Sequence, residues 1–385
     1  DFNPQGYSTI MLAYATLRHH PGSEMMDAVA SQCARQLREF DVQSIANLVY
    51  VYAYLGHTPS KTFLWSLESE LGQRNNLDPS ELVTTLWGFT TMNHIPSKSL
   101  RIQLQDCLVE MDLNVFTEAE LCQLFQAYLT ARDLIKDWEE FQLPEQIHAA
   151  ARELWLSRVE DVNQSWFHYA VSNCLDRIGI PNEFEWKTPD KLFSVDLMLN
   201  FIPRHDINDV SSSVGTQARR HAPTGGSLVV VEVDGPSHFT ANTRSTLGST
   251  SLRRRLLAVR GLDVVSIPWY EWEPIKRSPA MQDLYLREKL DGHIQGPPRD
   301  QVVACPNANE PTYPHDRLLS SARNVCRDIE ETQSRNQTQE EVASSSKDHE
   351  SAILTTLHGI LNLVASIGSL YKVPLLLSAC EVRKQ

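Results

Sequence analysis

The chain has 385 residues, of which 42% are hydrophobic, and a formal net charge of −13. This length suffices for two domains of roughly 100–200 residues with apolar cores, and the overall charge gives no indication of nucleic-acid binding. The seven cysteines include no Cys-x-x-Cys pair, which argues against a zinc site and against a secreted disulfide framework.

The first part of the chain contains an internal repeat. A His-x-Pro motif recurs at His19, His57 and His94, and residues 124–129 keep the apolar pattern of a fourth copy without it. Each copy predicts two helices joined by this motif, which we interpret as a turn, with Ser60 as one helix cap. Because one such hairpin cannot bury its apolar face alone, residues 1–135 are predicted to stack into an α-helical solenoid. Four aromatic residues are expected to pack between the stacked helix layers: Tyr14, Tyr52, Phe89 and Tyr128.

A different pattern follows the repeats. Residues 136–162 predict a helical linker, and residues 163–290 predict alternating helices and strands, with a polar loop at 203–226. This order is typical of an α/β sandwich. The predicted elements are a helix at 164–178, strands at 183–186, 193–199 and 228–233, a helix at 249–260, a strand at 262–267 and a helix at 281–290.

The last part of the chain changes in composition. Residues 291–350 are polar and aperiodic, which predicts disorder. Residues 351–371 lack Asp, Glu, Lys and Arg, but several polar residues interrupt them. We therefore expect residues 351–385 to form an apolar helix or tail, and a membrane is not an expected partner.

Three blocks at residues 231–239, 247–257 and 261–272 resemble the RAP domain, here spanning about 229–287. The helical repeats are similar to octotricopeptide repeats, or to the arrays of FAST kinase domain proteins. The resemblance implies a restriction-endonuclease-like α/β fold following the solenoid. It also implies a role in organellar RNA stability, processing, translation or ribosome assembly.

Acidic residues mark a candidate site in this α/β region. Glu232 and Asp234 alternate on one buried strand and so point to the same face, and Asp196 belongs to an earlier strand. In the nuclease folds that the RAP domain resembles, a strand Asp and a Glu-x-Lys motif hold a divalent metal. Here Asp234 stands at the Lys position, and the three carboxylates remain candidate Mg²⁺ ligands. His238 is a candidate general base or phosphate donor; alternatively, neighbouring arginines neutralise the acids.

Basic and aromatic residues form the candidate nucleic-acid contacts. Arg253, Arg254 and Arg255 are consecutive on a predicted helix, so they cannot all face one way. We expect at least one to reach the acidic residues and the others to contact phosphates. Three aromatic residues follow a strand end, where a base can stack, although they can also form a hydrophobic lid: Trp269, Tyr270 and Trp272.

These observations predict an organellar RNA-binding factor that acts without catalysis and without a cofactor. One alternative is a Mg²⁺-dependent endonuclease of the PD-(D/E)xK-like class. Another is a structural or assembly component of a mitochondrial ribosome, since residues 1–161 carry 11 Lys and Arg against 22 Asp and Glu. The expected partners are RNA and mitochondrial ribosomal or other organellar proteins. We expect the protein in the mitochondrion, alternatively in a plastid, with any targeting peptide outside this chain, which begins at Asp1.

Overall fold

The structure is a computed structural model. It describes residues 3–293, except 75–76, 136, 162–163 and 201–227. The polar loop predicted at 203–226 and the predicted tail at 351–385 lie outside the described residues. So does the predicted disordered stretch, apart from residues 291–293.

Eight helices form the N-terminal array. Capping side chains start several of them: Asp41 accepts a hydrogen bond from the Ser44 amide, and Ser60 accepts one from the Phe63 amide, as expected for that residue. The helices occur as consecutive pairs, which confirms the predicted hairpins. Their bounds are α1 Pro4–Thr16, α2 Ser23–Gln36, α3 Val42–Tyr54, α4 Lys61–Leu71, α5 Pro79–Thr91, α6 Lys98–Val109, α7 Glu118–Asp133 and α8 Glu145–Glu160.

The His-x-Pro motif follows the same helix end in the first three pairs. In pair two, Gly56 adopts a φ of +71°, and the His57 amide donates to the carbonyl of Tyr52 at 3.0 Å. This is the pattern of a Schellman motif, in which a left-handed residue ends the helix. The His57 ring then contacts the Tyr52 ring, with centroids 5.9 Å apart. Pairs one and three repeat both features, through Tyr14, Arg18 and His19 and through Phe89, Asn93 and His94.

The four odd-numbered helices lie side by side as an inner layer, and the even-numbered helices pack outside them. Close approach within this layer requires a small residue, because a Cβ at Gly88 would lie 2.4 Å from a Val49 methyl group. Helix α8 packs along α7. The segment expected to be a linker thus supplies the second helix of a fourth pair. None of the described helices combines the length and apolar character needed to cross a bilayer.

A four-stranded mixed sheet follows the array, in the order β1-β2-β3-β4. The first three strands pair antiparallel, whereas β3 and β4 pair parallel, with Glu232 opposite Ser266. All the predicted strands are present, with their ends shifted by at most one residue. The elements are α9 Trp166–Arg177, β1 Asn182–Lys187, β2 Ser194–Leu199, β3 Leu228–Asp234, α10 Gly248–Ala258, β4 Leu262–Pro268, α11 Trp269–Trp272 and α12 Pro279–Leu290.

The sheet lies between two apolar cores, one on each face. On one face, Val171 of α9 and Leu286 of α12 pack against strand residues such as Val231. On the other face, Leu252 and Leu256 of α10 belong to the same continuous core as the helical array. Helix α10 contacts α3, α5 and α7. The α/β unit is therefore packed directly on the inner layer and covers part of it.

Candidate functional site

The predicted acidic residues lie together beneath α10. Glu232 and Asp234 alternate on β3, so both face the helix, and they are 4% and 1% exposed. Asp196 of β2 lies beside them, where its carboxylate accepts the Val233 amide at 2.7 Å. This contact comes just beyond the last backbone pair of β2 and β3, Leu197 with Val231. The carboxylate thus satisfies a strand amide that the backbone ladder leaves unpaired.

Two consecutive arginines neutralise the β3 acids. Arg253 donates to both oxygens of Glu232, at 2.9 and 3.2 Å, and also to the Ser194 carbonyl. Arg254 donates to Asp234 at 2.6 Å and to the Ser266 hydroxyl, which itself donates to Asp234. Residues two apart on a strand are roughly 7 Å apart, a separation that neighbouring helical arginines can bridge. A buried ion-pair network therefore occupies the place of the candidate Mg²⁺ site.

Burial and pairing shift the ionisation of this network. Burial raises the pKa of Glu232 to about 7, against the opposing charge of Arg253. For Asp196, burial also acts upward, but the hydrogen bond from His168 and the charge of Arg253 outweigh it and lower the pKa. The His168 Nδ1 accepts the Ser165 amide, so Nε2 carries the proton and faces Asp196 at 3.5 Å.

His238 lies beside this network, as its position after β3 predicts. Its Nδ1 is 3.3 Å from an Asp234 oxygen and 3.1 Å from the Thr250 hydroxyl. Burial lowers the pKa of His238, with Asp234 acting in the opposite direction. The imidazole is therefore mainly neutral at pH 7, and its described contacts hold the turn after β3 against α10.

These residues do not fit a magnesium ion. Glu232 and Asp234 already bond to guanidinium groups, and a cation between them would face the positive charges of Arg253 and Arg254. Across the residues that the structure describes, no group of three or more His, Cys, Asp or Glu side chains is arranged to hold a metal.

The third consecutive arginine points away from the sheet. Arg255 donates to the backbone carbonyl of Thr91 at the end of α5, and burial lowers its pKa. At the start of the same helix, a Cβ at Gly248 would lie 1.8 Å from the Ala53 carbonyl oxygen. Helix α10 thus contacts the sheet through two arginines and the array through the third. All three arginines that were predicted to bind nucleic acid have protein partners.

The aromatic residues after β4 divide into two environments. Trp272 is 2% exposed and packs against Phe167 and Tyr285, so no face of its indole is open to a base. Its predicted stacking role is corrected to a core position, because α11 turns this side chain beneath the sheet. Trp269 and Tyr270 remain half-buried at the surface, with the Tyr270 ring against Phe239.

Arg244 is a further candidate that the sequence analysis missed. Its guanidinium lies 5.3 Å from the Tyr270 ring centroid and 6.0 Å from the Trp269 ring centroid. The residue is exposed and adopts a φ of +57° in a short loop. Because it lies 25 residues before the rings in a Ser- and Thr-rich segment, no local pattern indicates the contact.

Two segments of the chain match models of known protein families. Residues 231–289, from β3 to α12, match the model of the RAP domain. The resemblance to the RAP domain is confirmed. The match includes Glu232, Asp234, His238, Arg244, the three arginines of α10 and the aromatic residues, whereas Asp196 precedes it. Residues 45–109 match the model "FAST kinase-like protein, subdomain 1", which covers α3 to α6 and agrees with the second repeat resemblance.

Two curated proteins are similar to the chain. The RAP domain-containing protein, chloroplastic, of Oryza sativa subsp. japonica is 22% identical over 336 residues, covering 71% of this chain and 50% of that protein. The FAST kinase domain-containing protein 3, mitochondrial, of Bos taurus is 37% identical over 68 residues, covering 18% of this chain and 10% of that protein. The chain thus spans about half the length of the first relative and a tenth of the second.

Proposed function

We propose that this protein is an organellar RNA-binding factor that acts in RNA stability, processing or translation without catalysis. The RAP domain and FAST kinase-like families are associated with RNA in organelles. The two similar proteins are named chloroplastic and mitochondrial, which supports an organelle as the location. We propose the mitochondrion, with the plastid as the alternative; immunodetection in both purified organelles would distinguish them.

One observation carries the proposal: Arg244 lies over the half-buried rings of Trp269 and Tyr270. Aromatic rings stack on bases, and a guanidinium can bind phosphate or stack on a base. The cluster lies within the RAP match, at the carboxyl end of β4. Of the nucleic-acid contacts predicted from the sequence, Trp269 and Tyr270 are therefore the two that we retain, now with Arg244 beside them.

The charge of the rest of the molecule indicates why RNA binding is confined to one region. Residues 1–161 have a net charge of −11, whereas residues 227–290 carry 9 Lys and Arg against 7 Asp and Glu. A negatively charged helical array repels phosphates, so it does not favour RNA along its length. In addition, α10 and the sheet cover part of the inner helix layer. We therefore assign RNA binding to the RAP side of the molecule.

The test is binding of a labelled organellar transcript, measured by fluorescence anisotropy over a range of salt concentrations. Arg244→Ala and Trp269→Ala should each weaken binding about tenfold, the effect of losing one stacking or charged contact. Arg287→Ala, which removes an exposed arginine from α12, is the matched control. Wild-type affinity no greater at low salt than that of an unrelated neutral protein would refute RNA binding.

The acidic array supports a second candidate, a structural or assembly component of a mitochondrial ribosome. Ribosomal proteins are generally basic, and a net charge of −11 over residues 1–161 complements a basic protein surface. In this role the protein should co-sediment with ribosomal particles, and the association should survive Arg244→Ala. A wholly free pool in a sedimentation gradient would contradict it.

A further inference from the structure

The loop between β3 and α10 is attached to the turn of the first helix pair. Arg18 donates to the Pro236 carbonyl at 3.2 Å, and the Ala241 amide donates to the Arg18 carbonyl at 2.6 Å. The Asn242 side chain makes two hydrogen bonds to the backbone of His20. Its Oδ1 accepts the His20 amide, and its Nδ2 donates to the His20 carbonyl. These contacts hold the first turn beside the loop that carries Arg244.

The loop itself is held in one shape by hydroxyl groups. The Thr240 hydroxyl accepts the Ser245 amide at 3.0 Å and lies 2.7 Å from the Thr243 hydroxyl. The Arg244 amide donates to the Thr240 carbonyl. Thr240 is only 2% exposed, whereas Arg244 is exposed. The guanidinium is therefore presented by a preorganised loop, which reduces the entropy lost on binding a ligand.

The side chains along this attachment have neutral partners. The Arg18 guanidinium contacts a carbonyl, the His20 Nδ1 accepts the Gly22 amide, and the Arg244 guanidinium contacts two rings. His19 also faces Asn242, at 3.2 Å. No ion pair joins any of these four side chains to a carboxylate within the described ranges. We call Arg18, His19, His20, Asn242 and Arg244 the seam surface.

His19 differs from its equivalents in the next two repeats. His57 lies 2.9 Å from an Asp27 oxygen, and His94 lies 2.6 Å from a Glu68 oxygen, so each turn histidine binds an acid of the preceding outer helix. His19 lies against a neutral amide instead and is exposed. Because its Nε2 accepts the Asn242 amide, the ring can donate to an anion through Nδ1.

We propose that the RNA site extends from Trp269 and Tyr270 across the seam surface, and that its ligand is single-stranded RNA. This rests on the proposed RNA-binding function. The rings and Arg244 hold an unstacked base, and Arg18 and His19 bind the phosphates that follow it. A duplex presents no open base face to Trp269 or Tyr270, because its bases are stacked on each other. A single strand can stack one base on the rings and place the following phosphates against Arg18 and His19.

The experiment uses the full chain and a labelled mixed-sequence RNA, either single-stranded or annealed to its complement. Arg18→Gln and His19→Gln test the seam surface, and Arg244→Gln and Trp269→Ala test the proposed function. Arg35→Gln is the matched control, because it removes an exposed arginine from α2 of the same helix pair. Thermal melting verifies that each variant is folded.

We expect Arg18→Gln to weaken single-strand binding about fivefold and to reduce the slope of log K against log salt by about 0.7. Arg35→Gln should leave both unchanged, and the duplex should bind at least tenfold more weakly. If Arg18→Gln and His19→Gln bind like wild type while Arg244→Gln and Trp269→Ala do not, the extension is wrong and the proposed function stands. If no RNA binds, both are wrong.

Two further outcomes would overturn the ligand assignment. Duplex binding equal to or tighter than single-strand binding would refute the single-stranded class. Displacement of the RNA by polyglutamate at equal charge concentration would indicate that the seam surface binds acidic proteins, because polyglutamate carries charge without bases. Failure of polyglutamate to compete supports the RNA assignment.

Discussion

Arg255 of α10 donates a hydrogen bond to the backbone carbonyl of Thr91, the last residue of α5. Carbonyl groups at a helix end lack intrahelical partners and lie at the negative end of the helix dipole. A guanidinium at this position satisfies one of them and joins the RAP segment to the array. The two parts also share one apolar core.

Replacing Arg255 with Ala should lower the free energy of unfolding by about 1–3 kcal/mol, because it removes a charged donor from a buried helix end. Urea denaturation measures this change. The control is Lys61→Ala, at an exposed position of α4, which should change stability by less than about 0.5 kcal/mol. Equal effects of the two variants would mean that the Thr91 contact contributes nothing.

Gly248→Ala should also destabilise the protein, by about 1–3 kcal/mol, because the new methyl group would overlap the Ala53 carbonyl. Gly235→Ala is the matched control, since nothing lies within 4 Å of a Cβ at that position. Comparing their thermal unfolding midpoints tests the close packing of α10 on α3. A midpoint for Gly248→Ala equal to that of wild type would show that this packing is loose.

Above about pH 7, where Glu232 is ionised, the pair Glu232 and Arg253 should behave as a buried ion pair. Arg253→Met leaves a buried carboxylate and should cost about 3–5 kcal/mol, whereas the double variant E232M/R253M should recover most of that loss. A double-mutant cycle from urea denaturation gives the coupling. Additive losses in the double variant would contradict a coupled pair.

The raised pKa of Glu232 predicts a specific pH dependence. Its pKa is about 7 in the folded protein and 4.5 for an ordinary glutamate, so between these values the folded state holds a proton that the unfolded state has lost. The stability contributed by this group is therefore present below about pH 4.5 and is lost as pH rises towards 7. Relative to Glu232→Gln, wild type should lose stability between pH 5 and pH 7.5 in urea denaturation. A relative gain would mean that Arg253 lowers this pKa.

Magnesium should not stabilise the protein through Asp196, Glu232 and Asp234, because two of these acids are paired with arginines. Adding millimolar Mg²⁺ should leave the thermal unfolding midpoint unchanged, in wild type and in Asp234→Asn alike. A midpoint that rises with Mg²⁺ in wild type alone, together with Mg²⁺-dependent RNA cleavage, would favour the endonuclease alternative.

Local patterns in the sequence determined much of the architecture. The recurrence of His19, His57 and His94 predicted the helix pairs, because an aromatic residue and a left-handed residue at fixed spacing form the same helix end each time. The alternation of Glu232 and Asp234 placed both on one face of β3. Three short blocks were enough to indicate the RAP domain. These features depend on residues close together in the chain.

Only the tertiary structure decided how the candidate site is arranged. The sequence shows that Arg253, Arg254 and Arg255 diverge, but not that two bind β3 and the third binds α5. Nor does it show that Trp272 is buried, or that Arg244 lies over Trp269 and Tyr270. These contacts join residues that are distant in the chain, and the packing of α10 between the sheet and the helical array brings the arginines to their partners. Periodicity fixes the direction of a side chain within its element, whereas its partner depends on which elements pack together.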